Sequence, residues 1–391
     1  MPHITSLLNV DGFELEDISG LDPITFKLRY LQPPTCPHCF GFELRLKDTF
    51  YRRIRHESFG RRKVYLYLRT RKFHCNGCGR YFNERFPGIL PRRRSTEAFR
   101  REVFEKHNDG ICQKLLAERL GIGQATIERW YHSLLELKLT RSQNDPCPRI
   151  LGIDEHFFTR KQGYATTLCD LAHHKIYDVV LGRSEKAVAP SFEKLPDKRK
   201  VRVVVMDLSE TYRSIARKYF PNAQIVADRF HVIRLANHHF LKVWNSIDPL
   251  GRKNRGLLSL MRRHRHNLQP PQKLKLQDYF SRFPALASIW DFKQKLCSLL
   301  LVKQINQRRA KKLIPFFLYY TQQLLDSPFE SLQTLGKTLL SWDKEIVSMW
   351  RFTKSNGITE GFHNKMELIS RRAYGFRNFQ NYRLRVRALC A

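Results

Sequence analysis

The clearest pattern of apolar and polar positions lies near the middle of the chain. Residues 149–158 form a short apolar run with β-branched side chains, bounded by Pro148 and by the polar residues from Thr159 onward. Such a run predicts a buried strand. Asp154 interrupts it, and a charge inside an apolar strand is costly unless it is paired or binds a metal. Asp154 is therefore either a site residue or a carboxylate that emerges at the edge of the strand.

A second run favours the first alternative, because residues 201–206 are mostly apolar and Asp207 follows them. The surrounding pattern predicts strands over 163–171, 175–181 and 223–227 and helices over 187–195 and 211–220. Three strands followed by alternating helices and strands are the layout of a ribonuclease H-like core, in which the first and fourth strands are neighbours. We therefore expect Asp154 and Asp207 to face each other at the centre of the sheet, at a spacing suitable for Mg²⁺.

From residue 232 to 352 the strand pattern is absent and large apolar residues recur at helical spacing. This segment predicts an all-helical insertion, whose tryptophans we expect in the core rather than stacked on bases. A polar break at 353–357 precedes a further helix over 358–374. Residues 353–391 are thus predicted to close the core that begins with residues 147–231.

The N-terminal segment, residues 1–90, predicts a zinc ribbon. Two Cys-x-x-Cys pairs, Cys36 with Cys39 and Cys75 with Cys78, can present four thiolates to one tetrahedral Zn²⁺ ion. Their spacer is longer than usual, but residues 63–69 alternate like a strand, so the spacer is interpreted as the β-ribbon. The alternative is four free buried cysteines. The many cations of the ribbon favour contact with phosphates.

Residues 91–146 predict a helix-turn-helix. Helical segments at 113–120 and 124–131 flank a break at Gly121, after an arginine-rich linker. Such a motif would place its second helix in a major groove of DNA, and the alternative is a helical hairpin that only packs. The linker and this helix, together with basic runs in the insertion and the closing helix, supply the candidate DNA-binding residues. These are Arg92, Arg93, Arg94, Gln124, Thr126, Arg129, Arg262, Arg263, Arg371 and Arg372.

Charge supports a large polyanion as the partner. The 391 residues carry 70 Lys and Arg against 36 Asp and Glu, a net charge of +34 spread along the chain. A ribosome-bound or membrane-surface protein could share this charge, but neither needs aspartates at the ends of paired strands. No apolar run is long enough to span a bilayer and no basic, apolar leader opens the sequence. We expect a cytosolic protein, in a reducing compartment where clustered cysteines more often bind metal.

Several motifs occur in a characteristic order. They are Leu-Gly-Ile-Asp-Glu at 151–155, Val-Met-Asp-Leu-Ser at 205–209, Phe-Pro-Asn-Ala at 220–223, Val-Ala-Asp-Arg-Phe-His-Val at 226–232, Asn-Gly-Ile-Thr-Glu-Gly at 356–361 and Arg-Arg-Ala-Tyr-Gly-Phe-Arg-Asn-Phe at 371–379. With the cysteine pairs and the helical hairpin in front of them, they resemble the insertion-sequence L-three family of bacterial DDE transposases. The resemblance covers nearly the whole chain.

The resemblance implies a ribonuclease H-like nuclease whose catalytic triad is Asp154, Asp207 and Glu360. These carboxylates would hold two Mg²⁺ (or Mn²⁺) ions about 4 Å apart, one to activate water or a DNA 3′-hydroxyl and one to stabilise the leaving oxygen. Asp228 and His231 form an i, i+3 pair that is expected to brace the site. Asp228 is also an alternative to Asp207, and Glu367 is an alternative to Glu360.

The expected function is therefore that of a transposase that binds the terminal inverted repeats of an element, cleaves double-stranded DNA and joins it to a target. We expect a homodimer or higher oligomer on DNA. The competing hypothesis is a zinc-ribbon and helix-turn-helix regulator with an inert core, which would not need Asp154 and Asp207 in strands. The predicted fold class is α/β and multidomain: a ribonuclease H-like core with a helical insertion behind two small DNA-binding domains.

Overall fold

The computed structural model describes residues 8–140, 145–352 and 357–390. The chain divides into two compact units. The first unit contains Met1–Lys138 and Arg371–Gly375, and the second contains Leu139–Ser370 and Phe376–Ala391. The predicted chain breaks at 144 and 353–356 lie outside the described residues. Within the described ranges, every helix is too short or too polar to cross a membrane.

A mixed sheet dominates the first unit. Its strands are β1 (Phe13–Ser19), β2 (Ile24–Tyr30), β3 (Leu44–Phe59), β4 (Arg62–Cys75) and β5 (Tyr81–Asn83). They lie in the order β1-β2-β4-β3, and β5 pairs with β4. The long antiparallel β3–β4 hairpin is the predicted ribbon, with Val64, Leu66 and Leu68 buried on one face of β4 as the alternation requires.

Three helices follow in this unit: α1 (Glu97–Asn108), α2 (Gln113–Leu120) and α3 (Gln124–Thr140). The Thr96 side chain accepts a hydrogen bond from the Phe99 amide and so begins α1. Gly121 ends α2 with φ of 68°, a left-handed conformation that suits glycine. Phe99, Leu116 and Ile127 bury their side chains between the three helices. The predicted pair of helices around a turn at Gly121 is confirmed.

The second unit is built on another five-stranded sheet. Its strands are β6 (Ile150–Thr159), β7 (Gly163–Asp170), β8 (Lys175–Leu181), β9 (Val203–Met206) and β10 (Gln224–Ala227), with helices α4 (Glu185–Glu193) and α5 (Glu210–Tyr219) between them. The order across the sheet is β10-β9-β6-β7-β8. The predicted strands and helices of this region are confirmed to within a few residues. So is the predicted adjacency of the first and fourth strands, because β6 pairs in parallel with β9.

The rest of the unit is helical, as predicted. The helices are α6 (Arg229–Ile247), α7 (Pro249–Lys253), α8 (Arg255–Arg262), α9 (Pro270–Arg282), α10 (Pro284–Leu300), α11 (Gln307–Leu325), α12 (Glu330–Ser341), α13 (Asp343–Arg351), α14 (Gly357–Arg372) and α15 (Phe379–Leu389). Helix α6 already begins at Arg229, ahead of the predicted start of the insertion at 232. The core position expected for the tryptophans is confirmed by the burial of Trp244, Trp290, Trp342 and Trp350. An ion pair between Arg383 and Asp178 attaches α15 to β8, with Nε 2.7 Å from Oδ1.

Candidate active site

Two parallel strands bring the first two carboxylates together. Ile153 of β6 pairs with Met206, the last residue of β9, so Asp154 lies beside the point where the chain leaves β9 at Asp207. Asp154 is buried, with 6% of its surface exposed. Ligand atoms of Asp154, Asp207 and His231 all lie within 4.8 Å of one another. The sequence prediction that the two aspartates face each other is therefore matched by the geometry, and His231 joins them.

Helix α6 supplies the histidine. Asp228 precedes the first turn of α6 and is buried, with 1% of its surface exposed. His231 Nε2 lies 3.0 Å from Asp207 Oδ1 and 3.7 Å from Asp228 Oδ2. Asp207 Oδ1 is buried and, among the described residues, has no hydrogen bond. Its nearest charged neighbour is thus a histidine that could share a cation with it.

Burial and mutual repulsion make these carboxyl groups hard to ionise. Burial, with smaller contributions from Asp228, Glu155 and Glu360, raises the pKa of Asp154 to about 7, although the Glu155 amide donates a hydrogen bond to it at 2.8 Å. Burial, followed by the charges of Asp154, Asp228 and Glu155, raises the pKa of Asp207 to about 8. A bound cation removes this penalty, because it favours the charged carboxylates. The donor set and the unpartnered oxygen thus fit a divalent cation.

Glu360 does not belong to the same cluster. It lies in the first turn of α14 and is exposed. Its charge nevertheless contributes to the raised pKa of Asp154 and opposes the lowering of the pKa of His231 that burial causes. Glu360 is therefore an electrostatic neighbour of the cluster, while Asn356 of the same sequence motif lies outside the described residues. Glu367, the alternative to Glu360, is exposed further along α14.

Two charged residues of the site were missed by the sequence reasoning. Glu155 is half-buried beside Asp154, and its Oε1 lies 3.5 Å from Arg183 Nη1. Arg234 lies three residues after His231 on α6 and acts against the raised pKa of Asp207. Glu155 could have been found from the sequence, because it directly follows Asp154 in the same apolar run. Arg234 is one arginine among many, and only the fold distinguishes it.

A layer of polar side chains supports Asp154 from the neighbouring strand. Thr167 of β7 stands opposite Asp154 in the strand register. Its hydroxyl lies 2.9 Å from His156 Nδ1, and His156 Nε2 lies 2.9 Å from the Tyr382 hydroxyl of α15. Burial lowers the pKa of His156 to about 3, and it lowers the pKa of the neighbouring His363 to about 4. Both imidazoles are therefore neutral at pH 7 and add no charge beside the carboxylates.

The four predicted cysteines meet in the first unit. Ligand atoms of Cys36, Cys39, Cys75 and Cys78 all lie within 4.8 Å of one another. Cys36 Sγ is 3.6 Å from Cys78 Sγ, and Cys39 Sγ is 3.5 Å from Cys75 Sγ. Thiolates on a tetrahedral zinc ion, with Zn–S of about 2.3 Å, would be about 3.8 Å apart. The cluster therefore fits one Zn²⁺ ion.

Each cysteine pair is held by a tight turn. The Gly79 amide donates to the Cys75 carbonyl and the Phe40 amide donates to the Cys36 carbonyl, both at 2.9 Å. Gly79 and Phe40 both have positive φ, 69° and 60°. Burial raises the pKa of Cys36, but hydrogen bonds from the backbone of Cys39 and His38 and from the other thiols outweigh it and lower that pKa to about 6. One thiolate is thus already favoured at neutral pH.

Most of the DNA-binding residues predicted in the first unit surround one cavity of about 550 Å³. The predicted residues in its lining are Arg92, Arg93, Arg94, Thr126 and Arg129. Arg55 and Arg100, which the sequence reasoning missed, also line it. Arg55 is buried, stacks on the Phe99 ring at 4.7 Å, and has an Nε atom without a hydrogen-bond partner in the described chain. The cavity therefore concentrates positive charge, as an anion site requires.

The remaining predicted DNA-binding residues do not share that cavity. Gln124 is exposed at the start of α3. Arg262 and Arg263 are exposed at the end of α8, and Arg263 Nη1 donates to Gln272 Oε1 at 3.3 Å. Arg371 and Arg372 are exposed in the last turn of α14.

Comparison with known proteins identifies the family. Residues 151–386 match a DDE transposase family of ISL3 type, described as transposase, and residues 32–78 match the zinc finger of the transposases of IS204, IS1001, IS1096 and IS1165. The chain is also 23% identical over 376 residues to the transposase for insertion sequence element IS1001 of Bordetella parapertussis, which covers 92% of this chain and 90% of that protein. The resemblance in the sequence motifs is thereby confirmed. The chain belongs to the ISL3 family of DDE transposases.

Proposed function

We propose that this transposase uses a ribonuclease H-like core to cut and join DNA at the ends of an insertion sequence. The strand order β10-β9-β6-β7-β8 supports this proposal, since its three antiparallel strands and two parallel strands follow the layout expected from the sequence. The observation that carries the proposal is the cluster of Asp154 in β6 with Asp207, directly after the parallel strand β9, and His231, whose ligand atoms lie within 4.8 Å of one another.

Asp154, Asp207 and Glu360 are proposed as the triad, and His231 as the group beside Asp207. The aspartates and His231 are close enough to share one divalent cation, and Glu360 lies near enough for its charge to act on Asp154. Mg²⁺ is the proposed metal because carboxylate oxygens are its preferred ligands, and Mn²⁺ accepts the same ligands. When bound, such a cation supplies an activated oxygen nucleophile and stabilises the leaving oxygen.

The protein residues prepare the site for that chemistry. Asp154 is held in position by its strand and by the Glu155 amide, and Asp207 is held beside it by the β6–β9 pairing. Asp228 and His231 orient each other at the start of α6. His156 and His363 are neutral, so they add no positive charge that would repel a bound cation. Preorganisation of this kind contributes to catalysis because the groups need not rearrange during the reaction.

The first unit is proposed to recognise the element ends. Its hairpin α2–α3 has the turn of a helix-turn-helix, and Gln124, Thr126 and Arg129 occupy the first turns of α3. In such a motif these positions contact base edges in the major groove. The arginine-lined cavity next to them supplies phosphate contacts. We propose a dimer or higher oligomer on DNA, because two ends must be brought together for one transposition event.

A labelled DNA assay tests this function. The full chain is incubated with a duplex that carries one end of its element, with and without Mg²⁺. We expect strand cleavage that leaves a 3′-hydroxyl, and joining of that hydroxyl to a second DNA, only when Mg²⁺ or Mn²⁺ is present. Specific binding of the end without cleavage under any divalent metal would contradict the proposal and favour a DNA-binding regulator.

A further inference from the structure

A basic groove runs along α6 away from the carboxylates. It has a volume of about 640 Å³ and is lined by residues of α6 together with Arg252 of α7 and Arg262 of α8. Its cations are Arg234, Lys242, Arg252 and Arg262. This lining, with Phe230 at one end, is called the α6 groove below.

The groove begins at the candidate active site. Helix α6 starts directly after Asp228, and Phe230 lies on its first turn next to His231. The two rings meet edge to face, with centroids 5.5 Å apart, and His231 Nε2 is 3.0 Å from Asp207. Arg234 follows one turn later and is close enough to Asp207 to oppose the rise in its pKa. A ligand at this end of the groove would therefore lie close to the carboxylates.

The charge of the groove is not neutralised by the protein. Its lining contains no carboxylate. In the parts of the chain that the structure describes, none of Arg234, Lys242, Arg252 and Arg262 has a carboxylate within 4.0 Å. Four cations along one concavity attract a polyanion. Arg234 and Lys242 lie on α6, and Arg252 and Arg262 lie on the two helices that follow it.

The length of the groove suits a short nucleic-acid strand. From Phe230 to Lys242 the helix rises about 18 Å, at about 1.5 Å per residue. A stacked strand with one phosphate per about 3.4 Å would place about five nucleotides along that length.

Phe230 adds the second feature of a single-strand site. Its side chain is 48% exposed although it is large and apolar. Proteins that bind single strands combine a basic groove with exposed aromatic rings on which unpaired bases stack. Phe230 stands where the groove meets the carboxylates, so a base stacked on it would be next to the phosphate being cut.

We propose that the α6 groove binds a single strand of DNA that is unpaired from its complement beside the cleavage position. Phe230 stacks on the first unpaired base, and Lys242, Arg252 and Arg262 contact the phosphates that follow. This inference rests on the proposed function, because the bound strand is taken to be the DNA strand that is cut at the carboxylates. The duplex would then have to open at the cleavage position before the strand is cut.

Binding of short labelled DNA by the full chain, without added divalent metal, tests the groove independently of cleavage. The triple variant Lys242→Gln, Arg252→Gln, Arg262→Gln is compared with Lys186→Gln, Arg199→Gln, Lys337→Gln, which removes three exposed cations outside the groove. Both variants should keep the unfolding temperature of the natural chain.

We expect the groove variant to reduce the slope of log K against log salt by about 2 for a single-stranded hexamer, at about 0.7 per lost phosphate contact. The control variant should reduce this slope by less than half as much. The groove variant should weaken binding of the hexamer more than binding of a duplex.

Phe230 is tested with a base that crosslinks to aromatic rings. Oligonucleotides with 5-iodouracil next to the cleavage position are irradiated on the protein, and the crosslinked peptide is identified by mass spectrometry. We expect a crosslink at Phe230, and at least about fivefold weaker hexamer binding by Phe230→Ala. Phe316→Ala removes an equally exposed ring outside the groove and should have no effect.

The outcomes separate the two claims. Crosslinks only outside α6, or equal losses for the groove and control variants, would overturn the single-strand groove even if the protein cleaves DNA normally. Equal losses for hexamer and duplex would also overturn it, because the groove would then be a general DNA surface. A protein that crosslinks at Phe230 but cleaves no DNA in Mg²⁺ or Mn²⁺ would refute the proposed function and leave the strand-binding groove in place.

Discussion

Asp154 and Asp207 are two residues whose ionisation calls for a nearby positive charge. Both carboxyl groups are surrounded by other acids and by apolar strands, and burial is the largest cause of the rise in their pKa values. An aspartate in water ionises near 3.8. In the folded protein, ionisation of these two groups near neutral pH therefore opposes folding unless a cation is bound.

The sign of the resulting pH dependence follows from proton binding. Between about pH 4 and the raised values of about 7 and about 8, the folded state binds more protons than the unfolded state. Stability of the metal-free protein should then fall as the pH rises through that window. We expect Asp154→Asn, which cannot ionise, to raise the free energy of unfolding of the metal-free protein at pH 8 by about 1 kcal/mol or more, and to flatten its pH dependence.

Urea unfolding at pH 5 and pH 8 measures this effect. Glu193→Gln is a matched control, because Glu193 is an exposed acid on α4 far along the chain from the strand ends. Added Mg²⁺ should stabilise the natural chain and have little effect on Asp154→Asn, since a ligand stabilises only the protein that binds it. A natural chain that is more stable at pH 8 than at pH 5 without metal would contradict the assignment.

At the scale of elements, the β3–β4 hairpin depends on the zinc ion that holds its open end. Cys75 ends β4, and Cys36 and Cys39 precede β3. Small domains of this kind couple their folding to the metal. We expect Cys36→Ser to remove the single zinc ion per chain and to lower the unfolding temperature of the first unit.

Zinc content by mass spectrometry of metals, together with thermal unfolding, checks that expectation. Cys112→Ser is the control, because Cys112 precedes α2 and is outside the cysteine cluster. Carefully prepared natural protein that contains no zinc would disprove the metal site, whatever the stability of the variants.

The α2–α3 turn offers a second prediction at this scale. Gly121 has φ of 68°, where a residue with a Cβ is strained by about 1 kcal/mol or more. Gly121→Ala should therefore destabilise the first unit by about that amount and weaken binding to the element end. Gly123→Ala is the control, because its added methyl group would meet only Thr126 Oγ1, at 3.9 Å.

End binding by gel shift and thermal unfolding distinguish the two glycine variants. Equal behaviour of Gly121→Ala and Gly123→Ala in both measurements would refute the role given to this turn.

The sequence predicts those elements whose pattern is local. Strands β6 and β9 are apolar runs that end near an aspartate, and the zinc knuckles are visible from spacing alone. Strands β1 and β2 were not predicted, although Ile24, Phe26 and Leu28 alternate with polar residues along β2 and are buried. Arg55 and Arg100 could not be distinguished from other arginines, because their cavity is formed by segments far apart in sequence. Arg234 was likewise one arginine among many, whereas Arg262 of the α6 groove was already among the residues predicted from the sequence.

At the scale of the molecule, the proposal assigns recognition to the first unit and chemistry to the second. The first unit carries the cysteine cluster, the helical hairpin and an arginine-lined cavity. The second carries the carboxylates, the α6 groove and the helices that follow the sheet. With a net charge of +34 for the whole chain, we expect an affinity for DNA that salt weakens. Variants of the carboxylates should therefore impair cleavage and leave binding of the element end intact.

The strand cleavage rate of carboxylate variants, under single-turnover conditions with Mg²⁺, tests the central claim most directly. Asp154→Asn, Asp207→Asn and Glu360→Gln should each lower the rate by at least about a hundredfold, and any two together should be scarcely worse than one, because groups that act as a unit are not additive. Asp228→Asn should be milder, since Asp228 braces the site. End binding, measured in parallel, should be unchanged in all of them. Normal cleavage by all three triad variants would contradict the account, and an active Asp207→Asn beside an inactive Asp228→Asn would show that Asp228 is the second catalytic aspartate.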